Sequence, residues 1–146
     1  VQRDWWTEED AENYMARAEI LATQYSEFEP LPGEKLNGKL GLGENIGDLT
    51  GVTMAYDAYK RSLNGQEAPV IDGFTGDQRF FMAWAQVWAI KWKDEALSTQ
   101  IKNGPHSPGE YRANGIVRNI DAWYEAFDIQ PGDAMYLPPE KRVKIW

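Results

Sequence analysis

Residues 42–63 read LGENIGDLTGVTMAYDAYKRSL, and the spacing of their apolar side chains predicts one helix of about six turns. At 100° per residue, one side of this helix is apolar and consists of Ile46, Leu49, Val52, Tyr56, Tyr59 and Leu63. A different stripe holds two carboxylates one turn apart, with glycines between and beside them: Glu44, Gly47, Asp48 and Gly51. The helix therefore has a face for a core and a second, acidic face that another group can approach closely.

Three further segments on either side of this helix have helical periodicity. The first ends at about residue 28 and begins after Thr7, which is typical of an N-cap because three acids follow it. The third helix is predicted from 77 to about 92, continuing with a bend to 101, and a short fourth helix covers 121–127. Glycine and proline mark loops at 33–43, 66–76 and 103–115 and an irregular tail. We expect a mainly α fold of about four helices with long Gly/Pro-rich loops and no convincing strand.

Composition limits the class of protein. A chain of 146 residues suits one domain, and 42% hydrophobic residues with seven Trp and seven Tyr suffice for a core. The net charge of −8 disfavours nucleic acid as a partner because it repels a phosphate backbone. Cysteine is absent, which excludes disulfides, thiolate metal sites and a cysteine nucleophile. No apolar run reaches the ~20 residues that span a bilayer.

The spacing of Glu44 and Asp48 alone is typical of a solvated acidic helix face. The longer string NGKLGLGENIGD at 37–48, however, resembles the segment that carries the third zinc ligand in the neprilysin family of metallopeptidases. In that family a His-Glu-x-x-His helix supplies two further ligands and the general base. The resemblance implies that Glu44 is the metal ligand and that Asp48 hydrogen-bonds a ligand histidine and so fixes its orientation.

The string NGPHSPGEYR at 103–112 contains the one histidine of the chain. A loop histidine by itself is more often an ordinary surface or capping residue. Here the string resembles the substrate-site loop of the same family, which implies that His106 stabilises the tetrahedral oxyanion and that Arg112 binds a backbone carbonyl of the peptide. Both residue types donate hydrogen bonds to oxygen, as these roles require.

Other matches extend the resemblance over nearly the whole chain: DWWT at 4–7, QRFFMAWAQVW at 78–88 and the closing Trp146. Residues 1–146 are accordingly expected to be a single piece, the C-terminal part of a zincin catalytic domain of the gluzincin type. Trp84, Trp88 and Trp92 lie four residues apart, which favours a buried helix face over a sugar-stacking surface. The absence of cysteine favours a bacterial relative.

A complete site needs the two histidines of a His-Glu-x-x-His helix, and this chain contains only one histidine. We therefore expect one Zn²⁺ in the full-length enzyme and no peptidase activity in the isolated chain. The start at Val1 without methionine suggests a fragment whose partners are peptide substrates and the missing N-terminal part of the same polypeptide. The faces that would pack on the missing histidine helix would then be exposed and favour self-association of the chain. The family resemblance implies a periplasmic, secreted or membrane-anchored parent. The alternative is a non-catalytic helical module that recognises a protein partner through the Glu44 face or the Trp-rich helix.

Overall fold

The computed structural model describes residues 5–146, and within them the secondary structure is helical. In chain order the elements are α1 (Glu8–Ser26), α2 (Leu42–Ser62), α3 (Gly76–Val87), α4 (Asp94–Asn103), α5 (Gly109–Val117), α6 (Asp121–Phe127) and a 3-10 turn (Pro139–Lys141). Over this described range, β pairing is limited to the isolated bridges Leu31–Glu34 and Ile71–Phe74. The predicted mainly α class is confirmed. Asp4, part of the predicted DWWT match, lies outside the described residues.

The first two helices agree closely with their predicted bounds. The Thr7 hydroxyl accepts a hydrogen bond from the Asp10 backbone N–H at 3.1 Å, so Thr7 is the N-cap of α1. This helix ends at Ser26, two residues before the predicted limit, and α2 ends at Ser62, one residue early. Local capping and periodicity therefore suffice to define these two helices.

The prediction of one long third helix is wrong. The helix α3 stops at Val87, Trp88 is its C-cap, and a new helix, α4, begins only at Asp94. The tryptophans therefore do not share one continuous helix face, although Trp84 and Trp88 still meet edge to face at 5.5 Å. Trp92 lies in the connecting segment, and all three are partly buried. The break lets α5 approach, because a Cβ on Gly109 would lie only 2.6 Å from the Trp88 carbonyl oxygen.

The predicted loop at 103–115 is also wrong in its second half, which forms α5 and brings the helix count to six in the described range. Glycine suggested a turn there, but it serves close packing instead. A Cβ on Gly115 would lie 2.7 Å from the Tyr25 hydroxyl oxygen, so only glycine lets α5 pack on α1 at this point.

The helix α5 lies against α1, α2 and α3, and α3 also packs on α6. Leu21, Tyr25 and Ile116 are completely buried at the contact of α1 with α5. On α2 the predicted apolar face is buried in its first half and partly exposed from Tyr56 onward. The core thus surrounds α5 and holds it beside the N-terminal half of α2.

The tail is irregular, as predicted, and a buried amide pair holds it on the core. The Gln24 and Asn119 side chains exchange hydrogen bonds of 2.9 and 2.8 Å. Asn119 also accepts from the Val143 N–H at 2.9 Å and donates to the Gly115 carbonyl at 3.0 Å. One polar side chain therefore ties the tail to α1 and α5. Across residues 5–146, no helix combines the length and apolar character needed to cross a membrane.

Candidate metal-ligand and substrate site

The first turns of α2 place two carboxylates in different environments. The Glu44 side chain is 48% exposed, whereas that of Asp48 is 12% exposed. A Cβ at Gly43, Gly47 or Gly51 would have no neighbour within 4 Å. This glycine-lined face of α2, defined by the three glycines, is therefore open to a large group that approaches Glu44.

Asp48 is held by Arg112 from α5. Arg112 donates Nε to Oδ2 at 2.6 Å and Nη2 to Oδ1 at 2.7 Å, which is the bidentate geometry of a strong ion pair. The guanidinium also stacks on the Trp88 ring at 3.9 Å from the centroid. Its hydrogen bond to Asp48 is the main cause that raises the pKa of Arg112. Arg112 is therefore charged and fixed in position.

The side chains of His106 and Arg112 both approach one carboxylate oxygen of Glu44. His106 Nε2 lies 3.3 Å from Glu44 Oε2, and Arg112 Nη2 lies 3.9 Å from the same oxygen. The His106 side chain is 50% exposed. The structure thus brings together all four residues that the sequence singled out, which come from α2, the loop before α5, and α5 itself.

The loop that carries His106 is attached at two points. Gln100 of α4 donates Nε2 to the His106 carbonyl at 2.6 Å, and the Ser107 hydroxyl donates to Asn45 Oδ1 at 3.0 Å. Sequence reasoning missed both contacts. Asn45 and Ser107 directly follow Glu44 and His106 in the chain. A single sequence does not indicate that they pair, however, because they are 62 positions apart.

Tyr25 supports α5 beneath Arg112. Its hydroxyl donates to the Tyr111 carbonyl at 3.0 Å. Burial raises the pKa of Tyr25, and the nearby Asp48 carboxylate raises it further. The phenol therefore stays neutral and keeps its donor role. This buried residue of α1 therefore fixes the position of α5 relative to α1.

An apolar groove opens between α2 and α3 beside Asp48. Its volume is about 380 Å³, and it is lined by Gly47, Asp48, Gly51, Val52, Ala55, Phe80, Ala83, Trp84 and Val87. Val87 is 66% exposed at this groove. The groove continues the glycine-lined face toward α3 and offers an apolar surface next to the charged cluster.

The donor set can be compared with what a zinc site needs. In the described part of the chain, no three His, Cys, Asp or Glu side chains are grouped to hold a metal ion. Glu44 nevertheless fits as one ligand, because its carboxylate is half-exposed on an open face. The other ligands would have to come from residues outside this cluster.

Comparison with known proteins relates this arrangement to a peptidase family. The model of the family described as "Peptidase family M13" matches residues 1–143. Neprilysin-3 of Drosophila melanogaster is 34% identical across 97% of this chain, and human neprilysin is 36% identical across 98%. The chain spans 18% and 20% of their lengths, respectively.

Solved structures give the same result. The crystal structure of the Mycobacterium tuberculosis zinc metalloprotease Zmp1 with an inhibitor superposes with a TM-score of 0.95 at 47% identity, covering 99% of this chain and 23% of that one. PepO from Lactobacillus rhamnosis HN001 superposes with a TM-score of 0.82 at 35% identity, covering 99% of this chain and 21% of PepO. The chain thus corresponds to about a fifth of each relative.

Proposed function

The chain belongs to peptidase family M13, and on that premise we propose that it is part of a zinc-dependent endopeptidase or oligopeptidase. In this proposal it supplies the glutamate zinc ligand, Glu44, and two substrate-binding groups, His106 and Arg112. The observation that supports it is the convergence of His106 and Arg112 on Glu44 Oε2 at 3.3 and 3.9 Å. A ligand carboxylate and two hydrogen-bond donors for oxygen are the groups that peptide hydrolysis needs beside a metal.

Glu44 has the properties of a ligand to one Zn²⁺. Its carboxylate is half-exposed, and the glycine-lined face leaves room for the helix that would bring the other ligands. When bound, zinc would polarise the scissile carbonyl and lower the pKa of a bound water. The chain contains one histidine, so two histidine ligands and a general base must come from other residues of a longer polypeptide. For this reason we propose that the isolated chain is inactive.

His106 would donate Nε2 to the oxygen on which negative charge develops. Its Nε2 lies 3.3 Å from Oε2 of Glu44, the proposed ligand, which supports a donor close to a carbonyl that zinc would polarise. A donor fixed in advance at this point stabilises the transition state more than the ground state. We therefore assign His106 to the oxyanion.

Arg112 would bind a backbone carbonyl of the peptide. The fork to Asp48 uses two of the five guanidinium N–H donors, and the others can donate to the substrate. The Asp48 carboxylate has lone pairs beyond the two that Arg112 occupies, and these can accept from a ligand histidine. Asp48 would then orient both a metal ligand and the substrate-binding arginine.

The proposed substrates are peptides, and the proposed partner is the remainder of the same polypeptide, which would cover the glycine-lined face. We place the parent protein in the periplasm, in the secreted fraction or on a membrane anchor. A membrane location agrees with the name of one relative, membrane metallo-endopeptidase-like 1 of Mus musculus, which is 36% identical to this chain.

The test compares Glu44→Ala with Glu67→Ala in the full-length protein. Glu67 is an exposed acid in the segment between α2 and α3, so its removal should leave zinc content and peptide hydrolysis unchanged. Glu44→Ala should abolish both, as measured by elemental analysis of the purified protein and by cleavage of a fluorogenic peptide. Retention of zinc and activity by Glu44→Ala would refute the proposal.

The competing function is a non-catalytic helical interaction module. The apolar groove between α2 and α3, with exposed Val87 at its edge, is the observation in its favour. A mixture of this chain with the upstream segment distinguishes the two functions. Zinc retention with peptide cleavage by the mixture supports the peptidase, whereas a stable complex with neither property supports the module.

A further inference from the structure

Asn45 is completely buried although it directly follows the half-exposed Glu44. Its Oδ1 accepts a hydrogen bond from the Ser107 hydroxyl at 3.0 Å. Asn45 and Ser107 are the chain neighbours of Glu44 and His106, respectively. This one contact therefore joins the two backbone segments that carry the proposed metal ligand and the proposed oxyanion donor.

Gly41, the N-cap of α2, lies directly against this contact. A Cβ on Gly41 would lie 3.2 Å from Ser107 Oγ and 3.4 Å from Asn45 Nδ2, so any larger residue at position 41 would crowd it. In the described range, Asn45 Nδ2 has no hydrogen-bond partner, which makes this amide costly to bury. An apolar side chain of similar size would avoid that cost. A buried asparagine at this position therefore indicates that its hydrogen bond to Ser107 is needed, because apolar packing could not supply it.

The placement of His106 needs such an anchor. The His106 and Glu44 side chains are 50% and 48% exposed, so their 3.3 Å contact is too weak to hold the loop by itself. We propose that Asn45 and Ser107 are positioning residues that fix His106 relative to Glu44 and so set the rate of the chemical step. This proposal rests on the proposed peptidase function.

The size of the effect follows from the second attachment of the loop. Gln100 still holds the His106 carbonyl at 2.6 Å when the Ser107 hydroxyl is removed. A misplacement of 1 Å can cost about 100-fold in rate, so a loop that keeps one of two anchors should lose about tenfold. Since the oxyanion donor acts in the transition state, the loss should fall on kcat and not on KM.

The experiment uses the full-length protein with zinc and a fluorogenic peptide. Ser107→Ala should lower kcat by about tenfold, with KM and bound zinc changed by less than about twofold. Ser107→Thr keeps the hydroxyl and should restore most of the rate. Asn45→Ala removes the same contact from the other side and should match Ser107→Ala. The control is Ser62→Ala, which removes an exposed hydroxyl that donates to the Tyr59 carbonyl and should change nothing.

A double-mutant cycle with His106→Ala distinguishes positioning from a general structural role. If Ser107 acts through His106, then Ser107→Ala should change kcat by less than about twofold once His106 is absent. Three results would overturn the positioning role while the peptidase function stands. The losses in kcat from Ser107→Ala and His106→Ala could multiply as independent effects, Ser107→Ala could lose its zinc, or Ser107→Thr could fail to recover the rate. A wild-type protein without hydrolysis would overturn both proposals.

Discussion

Arg112 on α5 donates two parallel hydrogen bonds to Asp48 on α2, from Nε at 2.6 Å and from Nη2 at 2.7 Å. The two residues are 64 positions apart, and their side chains are 13% and 12% exposed. This pair is the main polar link between the helix that carries Glu44 and the helix that follows His106. Its geometry therefore connects the stability of the fold with the shape of the proposed site.

We predict that Asp48→Asn lowers the free energy of unfolding of the chain by about 3 kcal/mol, because it removes the carboxylate that accepts both hydrogen bonds of a largely buried guanidinium. The matched control is Asp57→Asn in the exposed Asp57–Arg61 pair, which should change stability by less than about 0.5 kcal/mol. Urea unfolding followed by tryptophan fluorescence measures both. If both substitutions change the free energy of unfolding equally, the Asp48–Arg112 pair contributes no more to stability than an exposed ion pair.

We predict that His106→Ala in the full-length protein lowers kcat by about 100-fold, because it removes a donor that acts on the transition state. Bound zinc should stay at the wild-type level, in contrast to Glu44→Ala. Steady-state kinetics with elemental analysis of the same preparations check the prediction. A rise in KM with an unchanged kcat would instead assign His106 to ground-state binding.

We predict that the isolated chain self-associates in a concentration-dependent way, since apolar side chains such as Val87 remain exposed beside the groove between α2 and α3. Val87→Glu should weaken the association in sedimentation velocity. Met15→Glu, which changes an equally exposed residue on α1, should have little effect. A monomer at every concentration, with wild-type and both variants alike, would contradict the prediction.

We predict that Asn119→Leu lowers the free energy of unfolding by about 3 kcal/mol, because it leaves Gln24 Oε1 without its donor and the buried Val143 N–H without its acceptor. Asn103→Leu, at the exposed end of α4, should stay within about 0.5 kcal/mol of wild type. Thermal and urea unfolding give the values. A near-neutral Asn119→Leu would show that the other contacts of the tail, including the hydrogen bond from Gln24 to the Lys141 carbonyl, are sufficient to hold it.

We predict a pH-dependent contribution from Asp121. The hydrogen bond from Arg142 is the main cause that lowers the pKa of Asp121. A carboxyl with a lowered folded-state pKa adds stability above its unfolded value of about 3.9, and this is lost as the pH falls through the folded value. Asp121→Asn should therefore destabilise the chain at neutral pH and have no effect once the pH is well below the folded-state pKa of Asp121. A difference that persists unchanged in acid would exclude this linkage.

The helices α1 and α2 were predictable from the sequence because capping and apolar periodicity define them locally. Thr7 marks the start of α1, and the apolar repeat of α2 gives its length to within one residue. The two errors, the break after Val87 and the missed α5, both occur where glycine allows backbones to touch. At Gly109 and Gly115 the nearest atoms belong to Trp88 and Tyr25, residues far away in sequence.

The four site residues were chosen because their flanking strings resemble those of a known family, and Glu44 and Asp48 share a helix face by spacing alone. The anchors of the site had no such signal. Asn45, Ser107 and Gln100 are ordinary polar residues whose partners lie on other elements.

Local periodicity was enough to predict the helical class and the acidic glycine-lined face of α2, and short strings of residues were enough to select Glu44, Asp48, His106 and Arg112 as candidates. Three features could be seen only in the folded chain: the helical conformation of α5, the pairing of Arg112 with Asp48, and the hydrogen bond from Ser107 to Asn45. They arise from packing between segments that are far apart in the chain. At such contacts, the space left by a missing Cβ and the burial of a polar group depend on the residues of both segments at once.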